Sequence, residues 1–296
     1  MEKIYGMYAA IPTPFAADGS ICRASFEKIC ERIIAAGMQG ILVCGSTGEY
    51  SALTTEERKE AMKMVADIVK GRCKLMSSCA GHNQEETLEM VRYAESIGID
   101  YALVVPPYYL TTTEEGIYKY YKAISDTIQG DMGLLLYNYP EVTTVALSVE
   151  FIQKLAELPH VAGIKDSDGL DHTSKLAGAM KGKDGFGIVN GYEHLAIGTL
   201  VSGGTGTVGI IDAICPEQMM AIYNAVQAND IKAAMEMNNK MRYFYTLMER
   251  EPVPAPVKAA FNIMGIECGA PRLPLLPASA ELEAELKAEL EKLHII

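Results

Sequence analysis

The chain has 296 residues, 49% of them hydrophobic, which is enough for one large core or two ordinary ones, and no apolar run reaches the length of a membrane span. A formal net charge of −12, with Lys and Arg scattered, argues against nucleic acid or an anionic membrane surface as partner. Seven cysteines with no Cys-x-x-Cys pair, and five histidines with none at i, i+4 spacing, give no pattern for a protein-held metal and read as free thiols in a reducing compartment.

Residues 1–5 lack the basic start and apolar core of a signal peptide, so a cytoplasmic protein is expected. Residues 8–11 read as a short strand ended by Pro12-Thr13-Pro14. Residues 25–36 place Phe26, Ile29, Ile33 and Ile34 on one helical face, and Gly37 is positioned to end that helix. Strand 40–44 leads into the turn Gly45-Ser46-Thr47-Gly48-Glu49. Thr54 and Glu57 stand at capping-box spacing before a helix that runs to Val69. Strand 74–78 is followed by a helix capped at Asn83 and ending at Ser96, before Gly98. Strand 101–105 is broken by Pro106-Pro107, and Thr112 with Glu115 is expected to cap the next helix, which reaches Thr127. Strand 133–137, helix 148–157, strand 161–165, helix 171–180, strand 187–190, helix 195–202, strand 206–210 and helix 216–228 complete the alternation.

Most of these strands are continuous apolar runs, the pattern of a parallel sheet covered on both faces. Eight strand–helix units over residues 1–228 point to an α/β fold, a (β/α)8 TIM barrel. An open doubly wound sheet is the rival, and it would place a Gly-x-Gly-x-x-Gly turn where Pro12-Thr13-Pro14 stands. After residue 228 no strand pattern remains. Helices over 230–249, 257–264 and 279–293, separated by proline groups, make residues 229–296 a C-terminal helical region packed on the barrel.

Barrel enzymes carry their chemistry at the C-terminal ends of the strands. Those ends hold Thr13, Ser46, Thr47, Cys79, His82, Tyr108, Tyr109, Tyr137, Asn138, Lys165, Asn190, Gly191, Tyr192, Glu193, Thr207 and Gly209. The segment Val161-Ala162-Gly163-Ile164-Lys165-Asp166-Ser167 is the most informative, because an apolar strand stops on a lysine. Read alone, Lys165 fits better a lysine that extends its ammonium to water or pairs with Asp166 or Asp168. Read with the other strand ends, it is an amine beside phenols and a Gly-flanked Ser-Thr turn. That set suits a 2-oxo acid. The Ser46 and Thr47 hydroxyls and the N–H groups of residues 45–49 receive a carboxylate, a neutral Lys165 attacks the keto carbon, and the Tyr137 phenol relays protons.

The motifs Pro12-Thr13-Pro14-Phe15, Gly45-Ser46-Thr47-Gly48-Glu49, Pro107-Tyr108-Tyr109, Tyr137-Asn138-Tyr139-Pro140, Gly163-Ile164-Lys165 and Asn190-Gly191-Tyr192 occur in order along nearly the whole chain. Together they resemble the pyruvate-dependent class I aldolases and lyases that include dihydrodipicolinate synthase and N-acetylneuraminate lyase. The resemblance implies a Schiff base on Lys165, a proton relay through Tyr137, and a pyruvyl carboxylate and hydroxyl network at Ser46 and Thr47. It also implies that Tyr109 reaches a neighbouring subunit's site in a homo-oligomer, as a dimer of dimers. Thr47, Gly48, Gly191, Glu193, Thr207 and Val208 are the candidate substrate-binding positions. No cofactor and no metal is implied, and the partners are a 2-oxo acid and an aldehyde. The synthase branch has an arginine shortly after the Tyr-Asn-x-Pro turn, where this chain has Val142. The Ser46-Thr47 turn and Glu193 look more like the neuraminate-lyase branch, although His194 stands where that branch has a second acidic residue. The expected reaction is therefore cleavage or formation of a 4-hydroxy-2-oxo acid of sialic acid or 2-keto-3-deoxy sugar acid type. Dihydrodipicolinate synthase and a 2-keto-3-deoxy acid dehydratase are the alternatives within the family. A barrel kept as a non-catalytic sugar-acid sensor would be expected to lack Lys165 or Tyr137, and both are present.

Overall fold

The structure, a computed structural model, describes residues 2–296, so Met1, the first residue of the expected barrel segment, lies outside it. The strands are β1 (Gly6–Ala10), β2 (Gly40–Val43), β3 (Lys74–Ser78), β4 (Tyr101–Val104), β5 (Gly133–Asn138), β6 (Val161–Asp166), β7 (Gly187–Asn190) and β8 (Gly206–Gly209). They close into a barrel in sequence order, with parallel ladders. That order is the (β/α)8 barrel and excludes the open sheet, whose strand order reverses at a switch point. Every residue of β1, β2, β4, β5, β6, β7 and β8 is buried, which is why these segments read as unbroken apolar runs.

Strand ends differ from expectation by one or two residues, and two differences have a clear cause. β2 stops before Cys44, whose φ of +54° is incompatible with a strand. β5 and β6 each run one residue further, because Asn138 pairs with Asp166 across the ladder. The helix Glu114–Ser125 is capped by Thr113, whose hydroxyl accepts from the Gly116 N–H at 3.2 Å, and not by Thr112. The capping box at Thr54 and Glu57 and the cap at Asn83 are both formed. Two one-turn helices, Pro140–Thr143 and Ile211–Ile214, have no counterpart in the sequence pattern because they are too short to show a period.

The chain divides into two compact units. One holds the segment up to Gly6 together with Lys74–Val208, and so carries β3 to β7 and β8 up to Val208. Within it the Ile4 carbonyl lies so near β7 that a Cβ on Gly187 would sit 1.9 Å from its oxygen; only glycine fits there. The other unit joins Met7–Cys73 to Gly209–Ile296. It therefore groups β2 with the C-terminal helices Ile231–Met248, Ala255–Ile263 and Ala280–Lys292. Cross-links inside it include Phe15 N–H to the Cys268 carbonyl at 3.0 Å and the Ser25 hydroxyl to the Glu267 carbonyl at 2.6 Å. Among the described residues, no helix is long and apolar enough to cross a membrane.

Candidate active site

In the unit that carries β3 to β7, Tyr137 and Lys165 stand directly opposite each other in the β5–β6 ladder. Lys165 is only 7% exposed, and its Nζ donates to the Tyr137 hydroxyl at 3.0 Å. The same nitrogen lies 4.3 Å from the Tyr137 ring centroid. Tyr139 stacks on Tyr137, with centroids 5.4 Å apart and planes 21° from parallel. Burial, with the nearby Tyr137 and Glu141 adding to it, pushes the Tyr139 phenol up to about 12. Burial likewise raises Tyr192. These phenols therefore remain protonated at neutral pH and add uncharged hydrogen-bonding groups beside Tyr137.

Gly191 follows β7. A Cβ there would lie 2.0 Å from the Ser167 hydroxyl and 3.1 Å from Cε of Lys165, so the missing side chain is room for the lysine stem. The side chain of the next residue in β6, Asp166, faces the other way. It is fully buried and accepts from Asn138, Thr173 and His172. The Tyr192 hydroxyl approaches the Glu141 carboxylate at 3.4 Å, and the neighbouring Val142 is 60% exposed. Glu193, Thr207 and Val208 are buried. Tyr109 is 94% exposed with φ +75°. With His82, Tyr108 and Tyr120 it lines a cavity of about 580 Å³ beside the loops that follow β3 and β4.

The turn at residues 45–49 belongs to the other unit. Gly48 is compulsory, since a Cβ would meet the Cys44 backbone at 2.9 Å, and its carbonyl accepts from the Thr13 hydroxyl at 2.7 Å. Ser46 is exposed and Thr47 buried. Glu49 holds a left-handed φ of +56° and ends the turn with its carboxylate inside the protein. That carboxylate meets Lys258 Nζ at 2.6 Å and accepts from the Arg272 backbone N–H at 2.7 Å. The Glu49 and Lys258 side chains are 0% and 1% exposed. Burial lowers the Lys258 ammonium against the opposing pull of Glu49. Lys258 and Arg272 also lie over the Phe15 ring, at 4.1 and 4.4 Å. Sequence reading missed Lys258, Arg272 and His172. Lys258, in the Pro-Val-Lys segment of an apolar helix, was the one visible signal.

A family profile described as the Dihydrodipicolinate synthetase family matches residues 3–293. The 4-hydroxy-tetrahydrodipicolinate synthase of Desulfotalea psychrophila is 34% identical, over 100% of this chain and 99% of that one. Dihydrodipicolinate synthase from Thermotoga maritima superposes with a TM-score of 0.94 at 29% identity, over 100% of both chains. The Acinetobacter baumannii enzyme, solved with pyruvate, gives 0.93 at 32% identity, covering 99% of this chain and 100% of that one. The chain belongs to the dihydrodipicolinate synthetase family and is an enzyme of its class I aldolase and lyase type, in which a lysine Schiff base makes or breaks a carbon–carbon bond.

Proposed function

We propose that Lys165 forms an imine with pyruvate and that the resulting enamine is joined to, or released from, an aldehyde. The buried 3.0 Å contact between the Lys165 amine and the Tyr137 hydroxyl carries this reading. Nζ attacks the keto carbon to give a carbinolamine. Tyr137 supplies a proton to the departing oxygen, which leaves as water, and the iminium forms. Loss of a proton from the methyl carbon gives the enamine, and that carbon attacks the aldehyde. Hydrolysis of the product imine regenerates Lys165. Cleavage runs the same steps backwards. The carboxylate of the 2-oxo acid is assigned to Ser46, Thr47 and the N–H groups of residues 45–49, supported by the tight turn that Gly48 permits. No step calls on a cofactor or metal.

The names of the relatives support the synthase reading, condensation of pyruvate with aspartate semialdehyde, better than the sialic acid type expected from the motifs. A specific observation favours a second reading. After the Tyr-Asn-x-Pro turn the chain presents Glu141 and then Val142 in place of an arginine, which suits a hydroxylated aldehyde without a second carboxylate. Tyr109, exposed in the single chain, supports an oligomer that covers it, which we read as a dimer of dimers.

Borohydride reduction in the presence of pyruvate is expected to add one pyruvyl group to the peptide containing Lys165, and Lys165→Ala to abolish the adduct. An adduct elsewhere, or none, refutes the imine. Pyruvate consumption with aspartate semialdehyde, compared with glyceraldehyde and N-acetylmannosamine, separates the two acceptor readings. Turnover of a 2-keto-3-deoxy acid without pyruvate release would replace both with a dehydratase.

A further inference from the structure

Behind the Tyr137–Lys165 pair lies a connected set of polar groups, buried except for the half-buried His172, that the steps above do not use. Asp166 ends β6 and its carboxylate is fully buried. Oδ1 accepts from the Asn138 amide at 2.9 Å, at the end of β5. Oδ2 accepts from the Thr173 hydroxyl at 2.7 Å, and Thr173 in turn accepts from the Asn190 amide of β7 at 2.9 Å. The third partner is His172, on the helix Gly169–Ala179. Its Nδ1 lies 3.1 and 3.0 Å from the two carboxylate oxygens. Its Nε2 lies 3.1 Å from the Leu147 carbonyl oxygen. The Leu147 N–H closes the circle by donating to Asn138 Oδ1 at 3.0 Å.

The protonation of His172 follows from these partners. A carbonyl oxygen can only accept, so Nε2 carries a proton. An ionised carboxylate can only accept, so Nδ1 carries one too. Both ring nitrogens face acceptors, and the imidazolium is the form that satisfies both. Asp168, at the start of the same helix, adds negative charge on that side, and the direction of the His172 shift, upward, is the one its hydrogen bond to Asp166 imposes. Asp171 and Lys175, further along the helix, are exposed and pair with each other.

We propose that His172 is a positioning residue: as an imidazolium held between the Asp166 carboxylate and the Leu147 carbonyl, it balances the charge behind Lys165 and ties the ends of β5, β6 and β7 in the register that sets Lys165 against Tyr137. The consequence is electrostatic as well as geometric. Without the imidazolium, a buried carboxylate on the residue next to Lys165 stands unbalanced and favours the ammonium over the free amine. Imine formation then needs a higher pH.

The proposal rests on the Lys165 imine, and its test separates the two. Nitrogen-15 shifts of the His172 ring in the intact protein near neutral pH are expected to report both nitrogens protonated; one protonated nitrogen overturns the proposal, whatever the reaction proves to be. In His172→Gln, the pH midpoint of pyruvate imine formation, read by borohydride trapping, is expected to move up by about one unit or more, with kcat at neutral pH reduced at least tenfold more than KM changes. Adding Asp166→Asn to His172→Gln removes the charge itself and is expected to bring the midpoint back toward the parent. A midpoint unmoved in His172→Gln, or not restored in the double variant, overturns the electrostatic role. If the parent protein is not trapped by pyruvate at all, the imine reading fails, and the ring-nitrogen result still judges His172. Should His172→Gln not fold, that same measurement on the parent decides.

Discussion

At the scale of single residues, Tyr137 has two tasks that one substitution can separate. Its hydroxyl accepts from Lys165 at 3.0 Å, and its ring stacks against Tyr139. Tyr137→Phe keeps the ring and removes the hydroxyl proposed as the proton relay. Turnover is expected to fall about 10²–10⁴-fold with KM for pyruvate little changed, and the rate of borohydride-trappable imine formation is expected to fall with it. Steady-state kinetics and the trapping time course check this, and an unchanged kcat would assign the relay to another group. That Lys165 and Tyr137 belong to the candidate site was legible in the sequence because each ends an apolar run abruptly, and the structure sets them opposite each other. The partners of Asp166 were not legible. Asn138 at the end of β5 and His172 and Thr173 at a helix start, with Leu147 linking Asn138 to His172, come from separate segments, and nothing in their spacing along the chain predicts that they converge.

At the scale of elements, the start of the helix Thr55–Val69 combines a capping box with an ion pair. Glu57 closes the capping box by accepting from the Thr54 N–H at 2.9 Å, and also takes both arms of the Arg272 guanidinium at 2.6 and 2.9 Å. Those hydrogen bonds, Arg272 foremost, hold the Glu57 carboxyl at about 2, below the ordinary 4.5. A carboxyl depressed on folding stabilises the native state above its unfolded value, and that contribution is lost as pH falls from 4.5 toward about 2. Glu57→Gln is expected to lower stability at neutral pH by about 1 kcal/mol, water screening allowed for, and to flatten the loss of stability across that acid range. Thermal melting at a series of pH values checks both parts. Long elements with a cap and a full period were readable from sequence, as at Thr54 and Asn83. The misplaced cap at Thr112 shows the limit. Thr112 and Thr113 are equivalent as chemistry, and only the phase of the first turn selects between them.

At the scale of the whole molecule, the eightfold alternation made the barrel legible, because each buried strand is a run with its own helix after it. What the alternation does not reveal is the role of the helices beyond it. Lys258 on Ala255–Ile263 and Arg272 after it anchor Glu49, and through Glu49 they hold the turn that bears Ser46 and Thr47. Lys258→Met leaves the Glu49 carboxylate buried without its counter-charge and is expected to cost about 3–5 kcal/mol, read from urea unfolding. Adding Glu49→Gln is expected to recover a substantial part of that loss. Glu49 and Arg272 are separated by 223 positions in the chain. On the ribosome the glutamate emerges long before its partners, and until they arrive the turn has a carboxylate to bury and no cation to bury with it. The fixed form of that turn therefore comes only near the completion of synthesis, and a chain interrupted before Lys258 carries residues 45–49 without the cation that holds Glu49.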